Sequence, residues 1–211
     1  MRYTVFGATG GTGQELVRQA LDSGHEVTAV VRDPARLPVR HARLDVITAD
    51  VTDAESLTPT VAGRDAVLSG LGAPGNKAAG IASRGTRAIL RAMEAAGVRR
   101  YVGVSAAPVE PGSEGESVFY RAVLLPLVRR AFRDVYADLA VMEDAIRAST
   151  VDWTIVRPPR LTDKPATGTY RRTIGGNVTR GHLVPRADLA AAMLAMVDDR
   201  ATVGQGVGVA S

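Results

Sequence analysis

The chain has no cysteine and only three histidines, His25, His41 and His182, far apart in its 211 residues. Disulfides, thiolate metal sites and cysteine nucleophiles are therefore excluded, and no dedicated metal centre is expected. Lysine is almost missing too. Of 26 basic residues only Lys77 and Lys164 are lysines. The arginines are spread along the whole chain rather than gathered in a stripe, so the net charge of +4 does not mark a nucleic-acid surface. It does suit a small anionic ligand. No apolar run approaches the ~18 residues of a membrane span. The start, with the apolar run Tyr3–Phe6, lacks the basic and long apolar segments of a signal peptide, so a cytoplasmic location is expected.

What remains is an ordinary globular composition, 45% hydrophobic and 23% charged, in a length that fits one domain. β-rich apolar runs near 2–6, 26–31, 44–49, 65–70, 100–105 and 152–156 alternate with helical patterns near 12–23, 53–62, 77–96 and 116–149, the last interrupted. That alternation predicts parallel βαβ units and a doubly wound, mostly parallel α/β sheet of Rossmann type. Asp53 or Thr52 is placed to cap the second helix, with Glu55 in position for a capping box from Thr52. Gly24 and Gly97 stand where helices should stop. Beyond the sixth strand we expect a loop at 157–168, a short hairpin around Gly175–Gly176, a helix at 186–198 and a last strand near 206–210.

The first strand runs into GATGGTG, residues 7–13, and then into the helical QELVRQAL. Gly7 permits a tight turn, Gly10 lets backbone approach a pyrophosphate, and Gly13 lets the helix pack close to the sheet. Gly11, Thr9 and Thr12 complete the loop, and the helix N-terminus offers N–H groups to phosphates. A strand before the loop and a helix after it are the context that makes a glycine pattern informative. A dinucleotide is the expected ligand.

At the end of the second strand, where NAD-preferring proteins carry an acid, stands Arg32, with Arg36 one turn on. A guanidinium there pairs with a 2′-phosphate, which favours NADP. The competing possibility is that Asp33 binds the ribose hydroxyl. Asp50 and Val51 after the third strand are placed towards adenine. Leu71, Gly72 and Ala73 after the fourth, and Pro158 after the sixth, are placed towards ribose and nicotinamide.

Acid–base machinery is harder to find. None of Tyr3, Tyr101, Tyr120, Tyr136 or Tyr170 has lysine four residues later, and position 140, after Tyr136, is alanine. The Tyr–Lys pair of ordinary short-chain dehydrogenases is absent. Catalytic candidates are Ser105 at the end of the fifth strand, which a cap or turn role explains equally, Arg160 beyond Pro158-Pro159, and Glu143, which a solvated or paired role explains better. Ser105 also fits the cofactor pocket. The segment 118–133 combines an apolar run with Arg121, Arg129, Arg130 and Arg133, and Pro126 should break any helix there.

GATGGTG, VVRDPARLP, DVTD with TVAGRDAVLSGLG, GTRAILRAMEAAGVRRYVGVSA and VDWTIVRPPRLTDKPATG together resemble the biliverdin-IXβ reductase/flavin reductase group of atypical short-chain dehydrogenases/reductases, with NmrA-like relatives. The resemblance covers all but about 108–138. It implies hydride transfer from NADPH to a flavin, quinone or similar conjugated acceptor. It also implies that Thr9, Gly10, Thr12, Arg32, Arg36, Asp50, Val51, Leu71, Gly72 and Ser105 form the cofactor pocket. Where the resembled enzyme has histidines on the substrate side, this chain has Glu143 and Arg160. A non-catalytic NADP-binding regulator and a ketoreductase for a bulky natural product are the alternatives. A substrate-side lid around 108–138 and 157–185 is expected on a monomer or homodimer, with the last helix as the candidate contact.

Overall fold

The computed structural model describes residues 1–72, 80–109 and 130–211. Six strands follow the sequence pattern closely: β1 (Arg2–Phe6), β2 (Glu26–Val31), β3 (Leu44–Thr48), β4 (Ala66–Ser69), β5 (Arg100–Val104) and β6 (Asp152–Arg157). Short strands β7 (Arg160–Thr162), β8 (Arg171–Ile174) and β9 (Leu183–Pro185) come next, and β10 (Gln205–Ala210) is the last. The described helices are α1 (Gly11–Asp22), α2 (Ala54–Val61), α3 (Ile81–Ala96), α4 (Arg133–Arg147) and α5 (Arg186–Met196).

The main sheet has the order β3-β2-β1-β4-β5-β6-β10-β8 and is parallel except for the last pair. The order reverses between β1 and β4, the switch point at which doubly wound sheets bind ligands beyond their carboxyl ends. Successive side chains in the strands serve opposite faces. Val5, Leu68 and Val156 join the core beneath α1 and α5, whereas Phe6, Val67 and Ile155 join the core beneath α2, α3 and α4. Both faces are covered, which is why these strands read as continuous apolar runs.

Local chemistry sets the helix ends. Asp53 caps α2 by accepting the Glu55 amide at 3.1 Å. Thr52 is not the cap, since its hydroxyl and amide both bond the Asp50 carboxylate, so the capping box does not form. Gly97 closes α3 in the left-handed conformation (φ 70), as its position in the sequence predicts.

Three expectations need correction. No hairpin turns at Gly175–Gly176. β8 instead pairs antiparallel with β10, and the Gly175 amide bonds the Gly206 carbonyl at 2.7 Å. The expected loop at 157–168 begins inside β6 and contains β7, which pairs with β9 in a separate two-stranded sheet. The last helix, expected to carry exposed area, is largely buried. Ala187, Leu189, Ala190, Ala192, Met193 and Met196 of α5 are buried, and the helix packs on α1. Most of the 118–133 segment lies outside the described residues, as do Ala73, Lys77 and Tyr120.

Candidate functional site

The glycine loop is tight because its atoms leave no room for side chains. Gly7 has a φ of +71, and a Cβ on it would stand 2.7 Å from the Gly70 carbonyl. A Cβ on Gly13 would stand 2.0 Å from the Gly7 carbonyl oxygen, so only glycine lets α1 lie this close to β1. Gly10 caps α1 in extended conformation without a side-chain hydrogen bond, and no acidic residue occupies the first turn. Among the described residues the N-terminal N–H groups of α1 therefore have no side-chain partner, and the positive end of the helix has no acidic residue of its own.

In front of this loop lies a cleft of about 720 Å³. Gly7, Thr9, Gly10, Gly11 and Thr12 line its floor. Arg32 and Arg36 line one end and Val51, Leu71 and Gly72 another part of the wall. Gly13 packs behind the loop, and Asp50, Ser105 and Pro158 do not line the cleft among the described residues. Arg84 of α3 and Arg186 of α5 do, and sequence reasoning missed both. Arg84 carried a weak signal as a polar residue in the first turn of a helix at the switch point. Arg186 carried none, because its place depends on the pairing of two three-residue strands.

The donor set fits a dinucleotide carrying several phosphates. The Arg32 and Arg36 side chains are exposed and make no hydrogen bond or ion pair with a described residue. Asp33, the competing ligand for a ribose hydroxyl, instead accepts the Ala35 amide at 3.0 Å and caps the turn Pro34–Arg36. Asp50 is exposed, and its carboxyl is held below the usual range by the Thr52 amide and then the Thr52 hydroxyl. Arg32 and Arg84 add smaller effects.

The catalytic candidates separate. Ser105 and Glu143 meet: the Ser105 hydroxyl donates to Glu143 Oε1 at 2.6 Å, while its amide bonds the Val156 carbonyl at 2.7 Å. Glu143 is fully buried and also receives Arg157 at 3.0 and 2.6 Å and Arg147 at 2.6 Å. It is a paired carboxylate, not a solvated one. Burial pushes its carboxyl up, opposed by the Ser105 hydroxyl and the Arg147 charge. Arg160 stands apart from this cluster, exposed at the start of β7. Pro158 is buried, and its carbonyl accepts the Ala107 amide at 2.8 Å, which ties the end of β6 to the turn after β5. Tyr136 lies on α4 with its ring 6.3 Å from that of Phe132.

Sheet order, glycine loop and arginine-lined cleft together define a dinucleotide-binding α/β domain. The chain belongs to the NAD(P)H-binding family, whose model matches residues 7–200. It is 31% identical over 155 residues to the 3 beta-hydroxysteroid dehydrogenase/Delta 5→4-isomerase of Mycobacterium tuberculosis, a stretch that is 68% of this chain and 41% of that protein. Its fold matches a Veillonella parvula short-chain dehydrogenase/reductase solved with NADP (TM-score 0.79, 21% identity, covering 100% of this chain and 94% of that one). It also matches ChuY, an anaerobilin reductase of Escherichia coli O157:H7 (TM-score 0.78, 23% identity, covering 100% and 97%). Among the described residues no helix is long and apolar enough to cross a membrane, and no group of acids and histidines is placed to hold a metal.

Proposed function

We propose that the chain is an NADPH-dependent oxidoreductase that reduces a flavin, quinone or similar conjugated acceptor. The observation that carries this reading is the state of the β2 end. The Arg32 and Arg36 side chains line the cleft without a partner among the described residues, while Asp33 is engaged in its own turn. A 2′-phosphate supplies the missing anion. The loop at 7–13 and the start of α1 would hold the pyrophosphate, and Val51 and Leu71 would flank the adenine side. Bound NADPH supplies a hydride, the chemistry for which this chain has no side chain of its own.

The acceptor side asks little acid–base work of the protein. With a flavin or quinone, stacking and orientation carry the reaction and a solvent proton completes it. Ser105, held by Glu143 at the end of β5, is the hydroxyl proposed for that side. A dehydrogenase and a reductase among the similar proteins support redox chemistry in the same fold.

A second reading has its own observation. The Tyr–Lys pair is missing, and the Ser105 proton is directed at Glu143 rather than towards an acceptor, as suits an NADP-binding regulator. One experiment separates the two. The purified chain is incubated with NADPH, and in parallel NADH, against FMN, riboflavin and a set of quinones, and absorbance is followed at 340 nm. Oxidation of NADPH well above NADH is expected. Tight NADPH binding with no oxidation by any acceptor would replace the reductase with the regulator.

A further inference from the structure

Arg186 has a position that the glycine loop alone does not explain. A Cβ on Gly11 would stand 2.6 Å from Arg186 Cδ and 2.8 Å from Nε, so the arginine stem lies directly over the first turn of α1. Its guanidinium then reaches Asp163 Oδ1 at 2.7 Å. The placement is set by the small second sheet. β7 and β9 run parallel with Thr162 opposite Pro185 as their last pair, and the next residue on each strand is Asp163 and Arg186. Two short strands thus aim a carboxylate and a guanidinium at one point above the loop.

A cation over the N-terminus of a helix is electrostatically misplaced unless an anion accompanies it. The one supplied here, Asp163, is 87% exposed, whereas the Arg186 side chain is only 28% exposed. An ion pair so open to water is screened and weak. A phosphate in the cleft answers the guanidinium and the free N–H groups of α1 at once, which Asp163 does not.

We propose that Arg186 is a further ligand of the cofactor's pyrophosphate and that Asp163 is the partner it leaves, so that this pair sets cofactor affinity. The inference rests on the dinucleotide reading above. Asp163 acts as a built-in competitor, and the segment that carries it, between β6 and β9, senses whether the cleft is filled. Because the pyrophosphate is common to both nicotinamide cofactors, the effect does not discriminate NADPH from NADH. That separates it from any role of Arg32.

The test is equilibrium titration of protein fluorescence with NADPH and with NADH on four proteins: wild type, Asp163→Asn, Arg186→Met and the double variant. Methionine keeps an apolar stem over Gly11, and Asp163 is exposed enough for asparagine to leave the fold alone. Arg186→Met is expected to weaken both cofactors about ten-fold, the scale of one charge-assisted phosphate contact. Asp163→Asn is expected to tighten both several-fold, and to have no effect once Arg186 is methionine. Unchanged affinity in either single variant overturns the proposal, as does an effect confined to NADPH. If wild type binds neither cofactor, the dinucleotide reading itself falls.

Discussion

Arg157 meets Glu143 through two hydrogen bonds, at 3.0 and 2.6 Å, where the arginine is 3% exposed and the glutamate not at all. Removing the buried Glu143 carboxylate takes from Arg157 the two bonds it makes there and from Arg147 a third. Glu143→Ala is expected to cost about 3–5 kcal/mol of stability. Replacing both Glu143 and Arg157 by methionine should recover most of that loss. Urea unfolding of wild type and the two variants measures it, and a double variant no better than the single would show that packing, not charge, dominates here.

On the proposed reading, Arg32 sets the preference between the two dinucleotides. Arg32→Ala removes a charge-assisted bond of about 1.5–3 kcal/mol to a 2′-phosphate. NADPH affinity is therefore expected to fall at least ten-fold while NADH affinity holds. Isothermal titration with both cofactors reads this directly, and equal losses would place Arg32 away from the 2′-phosphate.

Two glycines of the cleft should respond oppositely to one methyl group. At Gly13 the new Cβ meets the Gly7 carbonyl, which is backbone and moves only with the loop. Gly13→Ala is expected to cost about 1–3 kcal/mol and to abolish cofactor binding. At Gly72 no described atom lies within 4 Å of the added atom, and alanine should melt as wild type. Thermal melts with and without NADPH distinguish the pair.

At alkaline pH the tyrosines report the fold. Burial, with Asp198 and Asp65 adding to it, pushes the Tyr3 phenol up to about 12 from its ordinary 10, and burial raises Tyr101 too. A phenol harder to ionise when folded adds stability below pH 10 that is lost as pH rises towards 12. Tyrosinate absorbance should therefore show a late step, from Tyr3 and Tyr101, that coincides with unfolding. Titration of all five near pH 10 would contradict the buried phenols.

The sheet was legible because its signals are local. Apolar runs, the glycine loop and helix stops such as Gly97 each act within a few residues, and six strands and the start of α1 fell where those signals put them. The C-terminal third was harder. β8 finds its neighbour in β10, and β7 in β9, across intervening chain, and strands of three or four residues carry too little pattern to announce a partner. The site divides the same way. The residues that line the cleft from the loop and from β2 were readable, since each follows a strand end. Arg186 was not, because its position is a product of tertiary pairing. Glu143 offered one letter in a helix, and only the fold shows that it faces Ser105 and two arginines.

The sheet order also fixes a sequence of events during synthesis. β8 is made before β10, its neighbour in the sheet, and β6 likewise waits for β10 to cover its open side. At about 5–20 residues per second, the nascent chain carries an unpaired apolar strand edge for several seconds after β6 emerges. During that interval the unpaired edge is open to self-association, and slowing translation between β6 and β10 lengthens it.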